Sequence, residues 1–211
     1  MGVKLTETVP VRARAKRMSP KARQAQLIRC AIALFAEKGI GATGHTDVAE
    51  RAQVSIPTTF HYFPAKENMV SAVLDEVSRF LLDEIVVTQF DREVKAAESI
   101  EDLLMTFCDA IDDHPDYIRV WLEWSVAVRG DIWLAYLRFY AGAIRGIKKI
   151  LLRGLKDGSV AKTLDIDDAA RVIVGVAHMV THMKFAKSSR DTVQHTVHSL
   201  VSGYLSDRKG V

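Results

Sequence analysis

Between Thr46 and Lys66 the chain reads TDVAERAQVSIPTTFHYFPAK, and its polar side chains are of the kinds that bond to phosphates and base edges. Phe60 and Phe63 lie three apart and are predicted to face inward, leaving Thr58, Thr59, His61 and Tyr62 to face outward. Hydroxyls and an imidazole on short side chains both donate and accept hydrogen bonds, which suits the floor of a DNA groove. Such a set needs a small helix to carry it. Val48, Ala49 and Ala52, then Val54 after Gln53, have the spacing of a two-turn helix with one buried face. Ser55 is a good N-cap for a second helix, its hydroxyl accepting from a free backbone N–H of the first turn. Pro57 falls in that first turn, where a missing N–H costs little. Two short helices around a tight turn are the arrangement that places a helix in the DNA major groove. The competing reading is a plain helical hairpin inside an all-α core.

Charge separates the two readings. Residues 1–66 carry 11 Lys/Arg against 4 Asp/Glu, a net of +7, and the remainder carries 18 against 22, a net of −4. The overall +3 therefore hides a basic head on an acidic body. DNA affinity comes largely from neutralising phosphates, so a basic N-terminal third fits a DNA reader.

At 211 residues and 48% hydrophobic, the chain has enough apolar material for a real core. It has no apolar run of about 18 residues and no apolar segment after the basic N-terminus, so neither a membrane span nor a secretion signal is expected. Cys30 and Cys108 lie far apart within helical patterns, and two free thiols in a reducing cytoplasm are the expectation.

Residues 1–18 hold few core-forming positions and read as a basic N-terminal arm. Ser19-Pro20 opens a helix in the favoured N-cap and N1 order, with Leu27, Ile28, Ala31, Leu34 and Phe35 as its apolar stripe and Gly39 as its stop. After the helix pair, which completes a head over 19–66, one continuous helix is predicted from Lys66 to about Thr88. As a stiff rod from head to body, it would transmit movement. The body, 67–211, reads as further helices over Ser99–Asp112, from Pro115, from Asp131 to Gly158, from Asp165 or Asp167, and from Arg190 to Ser206. No useful strand alternation or internal repeat appears. The fold class is all-α, with about nine helices.

The residues Ala33-Leu34-Phe35 through Gly39, Thr46 to Val54, and Phe60-His61-Tyr62-Phe63 followed by Lys66-Glu67 resemble the TetR family of bacterial transcription regulators. Gly39-Ile40-Gly41, Gly44-His45, Ala52-Gln53-Val54-Ser55, Tyr62-Phe63-Pro64 and Val120-Trp121-Leu122-Glu123-Trp124-Ser125 extend the likeness to its quorum-sensing master-regulator branch, the LuxR/HapR type. The resemblance implies a homodimer on near-palindromic double-stranded DNA. It also implies a C-terminal domain that binds a small apolar ligand and dimerises. Carried over by position, Tyr62, Lys66 and Thr46 contact phosphates, and Ser55, Ile56, Pro57, Thr58, Thr59 and His61 form the recognition helix and its cap. Arg12, Arg14 and Arg17 would reach the minor groove. Where the branch has asparagine this chain has His61, whose hydrogen bonds to a base differ, so the operator sequence does not carry over. Pro57-Thr58 also replaces a small-residue pair common in the family.

In the body, Phe80, Phe107, Trp121, Trp124, Tyr140 and His178 are the expected cavity residues, set against the reading that aromatics at helical spacing are simply core. The last two helices resemble the family's dimer bundle, with Val176, Val180, Val197, Leu200, Val201 and Tyr204 at the seam. His178 and His182 lie four apart and His195 and His198 three apart. No acid stands at a matching spacing, so packing or interface histidines are expected rather than a metal site; at a seam, their protonation would weaken the dimer in mild acid. A glycine-rich phosphate loop, HExxH and GxSxG are missing, and the acid pairs Asp112-Asp113 and Asp167-Asp168 stand at helix ends, where acids cap, so no catalysis and no cofactor are expected. A ligand-independent DNA-binding regulator, controlled by its own abundance, is the alternative.

Overall fold

The computed structural model describes residues 18–206, which fold as nine α-helices and no strands. Arg12, Arg14 and Arg17 lie outside the described residues. The head comprises α1 (Pro20–Lys38), α2 (His45–Ala52) and α3 (Ile56–Tyr62). Ser19 caps α1 by accepting from the Ala22 N–H at 3.2 Å, with Pro20 at the first position where it loses no bond. Leu27, Ala31, Leu34 and Phe35 are buried as the spacing predicts, and Val48, Ala49 and Ala52 of α2 pack beneath them.

The body follows as α4 (Lys66–Arg79), α5 (Ala96–Asp113), α6 (Pro115–Val126), α7 (Gly130–Asp157), α8 (Ile166–Phe185) and α9 (Arg190–Leu205). Asp165 caps α8 by accepting from the Asp168 N–H at 2.9 Å, and Gly158, left-handed at φ 75°, stops α7.

The uniform rod expected from Lys66 to Thr88 is not what forms. After Arg79 the backbone widens into a π-helical stretch, Phe80–Val86, then tightens into a 3₁₀ turn, Val87–Gln89. The cause lies on α7. A Cβ at Gly146 would sit 2.5 Å from Val86 Cγ1, and one at Gly142 would sit 3.0 Å from Leu82 Cδ1. Two glycines on α7 thus make room for the wider winding. Wide turns of this kind are rare and occur frequently at functional sites.

Head and body meet where α1 packs on α6. There the Glu123 carboxylate of α6 accepts the Ile40 N–H at 3.0 and 3.3 Å, in the turn between α1 and α2. Gly39 immediately before it has φ 91°, and its open side faces Glu123. No helix among the described residues is long and apolar enough to cross a membrane.

Candidate nucleic-acid interface

The turn between α2 and α3 is made by Gln53, left-handed at φ 54°, whose N–H bonds back to the Glu50 carbonyl at 3.1 Å. Ser55 stands at the N-cap position of α3 in extended backbone, but its hydroxyl does not cap. It pairs instead with the Thr58 hydroxyl at 2.8 Å, while the Thr58 N–H goes to the Ser55 carbonyl at 2.9 Å. The expected side-chain cap is therefore replaced by a backbone turn and a hydroxyl pair.

Two residues of α3 exchange the faces predicted for them. Thr59 is fully buried, donating to the Ile56 carbonyl at 2.7 Å, whereas Phe60 is 47% exposed. His45 explains the exchange. Its Nε2 lies 2.7 Å from the Phe63 carbonyl, and its ring stacks on Phe60 with centroids 4.1 Å apart and planes 7° from parallel. Phe63 alone enters the core. Thr59 is thus a supporting residue rather than a DNA-facing one.

The remaining predicted residues come together. Ser55, Ile56, Pro57 and His61 are exposed, and Thr58 and Tyr62 are partly so. Ser55, Pro57, Thr58, His61 and Tyr62 line one wall of an open cleft of about 670 Å³, with Met18, Pro20 and Arg23 of the α1 end opposite. His61 meets the Tyr62 ring edge-on at 5.2 Å. Arg23 is a member that sequence reasoning missed. Its guanidinium donates to Gln26 Oε1 at 2.6 Å, and Gln26 in turn donates to the Ala52 carbonyl at 3.3 Å, so α1 and α2 aim it jointly. Its clue was being the basic residue one turn into a capped helix. Thr46 is exposed in the first turn of α2. Lys66 starts α4 and donates to the Gly41 carbonyl at 2.5 Å, which holds its charge at the head's edge.

A helix pair whose second member presents hydroxyls, an imidazole and a phenol beside a fixed guanidinium defines the helix-turn-helix DNA-binding class. Residues 27–73 match the profile of the bacterial regulatory proteins, tetR family. Over 193 residues, covering 90% of each chain, the protein is 30% identical to the HTH-type transcriptional regulator LuxR of Vibrio harveyi. It is 29% identical over 159 residues to the HTH-type transcriptional repressor KstR2 of Rhodococcus jostii, covering 72% of this chain and 74% of that one. Among solved structures it is similar to the regulator FadR of Bacillus subtilis, described in complex with stearoyl-CoA. There the TM-score is 0.72 at 19% identity, covering 84% of this chain and 97% of that one. The chain belongs to the tetR family, and it is a DNA-binding transcriptional regulator, as its relatives are, not an enzyme.

In the body the six predicted cavity residues divide into three groups. Phe107 and Trp121 line an apolar cavity of about 50 Å³, together with Leu82 and Val86 of the π stretch. His178 lies against Trp121 with ring centroids 4.3 Å apart, its Nδ1 3.1 Å from the Val174 carbonyl. Phe80 packs elsewhere, on His114 and Tyr117, each at 4.9 Å. Trp124 of α6 and Tyr140 of α7 belong to an aromatic cluster around Tyr136. Neither lines the cavity behind Trp121. Trp121 Nε1 is buried without an acceptor.

The predicted dimer residues also divide. Val176, Val180, Val197 and Val201 are buried in the chain's own core, so they cannot face a second copy. Leu200 is 41% exposed and Tyr204 is partly so. Beside them the outer faces of α8 and α9 offer Val172, Gly175 and Gly203, all exposed. His198 is engaged within the chain by Glu101, at 3.0 Å. The described residues contain no cluster of three metal-ligating side chains.

Burial pushes the His178 imidazole below the ordinary 6.5, with the Val174 carbonyl opposing and His182 assisting. The folded chain therefore takes up this proton later than the unfolded chain. Its contribution to stability is present above the unfolded pKa and is lost as pH falls through the lower folded value. Urea unfolding at pH 7.5 and 5.5 is expected to show reduced stability in acid, and His178→Gln to flatten part of that drop. An equal drop in both proteins would show that His178 is not its source.

Proposed function

We propose that the protein acts as a homodimer on a near-palindromic operator, with α3 of each copy in successive major grooves about 34 Å apart. The observation that carries this reading is the cleft that gathers Ser55, Pro57, Thr58, His61 and Tyr62 against Arg23. Exposed His61 is positioned to read a base, while Tyr62, Thr46 and Lys66 hold phosphates. The basic segment before α1, with Arg12, Arg14 and Arg17, adds minor-groove contacts. Removing residues 1–17 is expected to lower affinity and also to shallow its dependence on salt. The slope falls by roughly 0.9 for each phosphate that is no longer neutralised. An unchanged slope in anisotropy titrations would mean that the segment does not touch DNA.

The second copy sits on the outer faces of α8 and α9, where Val172, Gly175, Leu200 and Gly203 let two helix pairs approach closely. Leu200→Glu is expected to move sedimentation toward the monomer and weaken operator binding, with helicity unchanged. A variant that stays dimeric would place the seam elsewhere.

A small apolar effector in the body acts through α6, because Trp121 on the cavity wall stands two residues from Glu123, which holds the head. The orphan indole N–H suits a ligand acceptor. The similar structure of B. subtilis FadR is described in complex with stearoyl-CoA, which supports a ligand-responsive reading. The second reading, control by abundance alone, is favoured by the cavity's size. About 50 Å³ is far below the roughly 300–1,000 Å³ of ordinary ligand pockets. An effector must therefore displace cavity-lining side chains such as Leu82 and Val86 of the π stretch. Thermal-shift screening decides between them: a hit that also changes operator affinity supports an effector, and a wide library without one supports control by abundance.

A further inference from the structure

We infer that the junction of head and body is a second ligand site, one that takes a small amphipathic anion and opposes DNA binding. A recess of about 250 Å³ opens there, separate from the cavity behind Trp121. Its apolar floor comes from three elements: Ile40 of the α1–α2 turn, Val70 and Leu74 of α4, and Ile132 and Ala135 of α7. Ala135 and Arg138 continue into an adjoining depression of about 150 Å³ along the α4–α7 seam, so a guest longer than the recess has somewhere to run.

Charge decides the chemistry of the guest. Lys66, Glu67, Asp131 and Arg138 stand around the recess. The two acids occupy the first turns of α4 and α7, where the helix dipole already favours them. The two cations have no such compensation. Lys66 stands at a helix N-terminus, where positive charge is disfavoured, and among the described residues its ammonium bonds only to the Gly41 carbonyl. Arg138 lies within α7 and makes no hydrogen bond or ion pair among the described residues. The unanswered charge at this recess is positive. A carboxylate suits a guanidinium, which binds it through two parallel N–H bonds. An apolar body attached to that carboxylate would cover Val70, Leu74 and Ile132.

The position carries a consequence for DNA. Such an anion bridges α7 to the α1–α2 turn and to the first turn of α4, the elements that set the head's angle. It also draws the Lys66 ammonium inward. This consequence rests on the DNA-contact role proposed for Lys66; the binding itself does not. Linkage requires that whatever the anion takes from DNA affinity, DNA takes from anion affinity by the same factor.

The test titrates the full chain, free of DNA, by calorimetry or NMR with three probes of one size: 3-phenylpropionate, 2-phenylethanol and phenethylamine. The carboxylate is expected to bind at least about fivefold more tightly than the alcohol, as one charge-assisted contact provides, and the amine most weakly. Arg138→Gln should bring the carboxylate to the level of the alcohol, and Ala135→Phe should weaken all three, with thermal melts confirming that both variants fold. Failure of the carboxylate to saturate, or an affinity order that survives Arg138→Gln, overturns the site. In a second arm, 3-phenylpropionate is added to the chain bound to a duplex recovered from random sequences. A matched fall in both affinities supports the coupling, and unchanged duplex affinity with the site occupied overturns it. If no duplex binds at all, the DNA reading fails, while the first arm still decides the site.

Discussion

Tyr62→Ala is expected to weaken binding to every DNA sequence, whereas His61→Ala changes which sequence is preferred. The difference follows from where the two rings stand. Tyr62 is partly buried against the core at the end of α3, so its hydroxyl is held at a fixed height suited to the backbone. A phosphate contact carries no sequence information, and its removal lowers specific and random affinity together. His61 is exposed on the same helix, meets the Tyr62 ring edge-on, and is open to a base. A good base contact discriminates by about 1–3 kcal/mol, so His61→Ala should flatten preference at one position of each half-site. Lys66→Ala should reduce the salt slope by about one, while Tyr62→Ala, which removes no charge, leaves the slope unchanged. Anisotropy titrations on a selected and a scrambled duplex, at several salt concentrations, check all three. Equal losses on both duplexes for both ring variants would refute the division of roles.

Trp124→Ala should be the most damaging substitution to the fold. The side chain is 2% exposed, its N–H donates to the Ile132 carbonyl at 2.8 Å, and its rings lie 5.4 Å from Phe139 and 5.7 Å from Tyr136. It joins α6, which holds the head, to α7. Removing a buried tryptophan costs about 3–5 kcal/mol, and the lost N–H bond to Ile132 adds about 0.5–1.5 kcal/mol. Denaturant unfolding measures the sum. Trp124→Phe should restore most of the packing but not the hydrogen bond. Trp121→Phe makes the contrast: its indole N–H has no acceptor, so deleting it removes an unpaired donor, and the destabilisation should be much smaller. Equal destabilisation by Trp121→Phe and Trp124→Phe would mean that the Ile132 bond contributes nothing.

The helices were legible because long amphipathic segments with caps leave a strong period, as α1 and α7 show. What stayed hidden depends on distant partners. The exchange of Thr59 and Phe60 was unreadable within a helix of seven residues, since it is His45, from α2, that draws Phe60 outward. The π stretch at Phe80–Val86 depends on Gly142 and Gly146, some sixty residues further on. Val176, Val180, Val197 and Val201 have the period of a buried face, and periodicity cannot say whether the covering surface is the same chain or another. The cavity aromatics failed as a set for a related reason. Phe80, Trp124 and Tyr140 share the composition of a pocket wall, but α6 and α7 turn them into separate clusters. Arg23 left one clue, a basic residue one turn into a capped helix, but the cleft that α3 closes beside it depends on how the two helices pack.

The central claim, a dimeric reader of paired half-sites, is tested most directly by selecting the duplexes that the full chain binds from a pool of random sequences. Two inverted half-sites should be enriched, with centres about 10 base pairs or one further turn apart. His61→Ala should relax preference at the same position in each half. A bound pool with no enriched sequence, or with a single unpaired half-site, would contradict the claim.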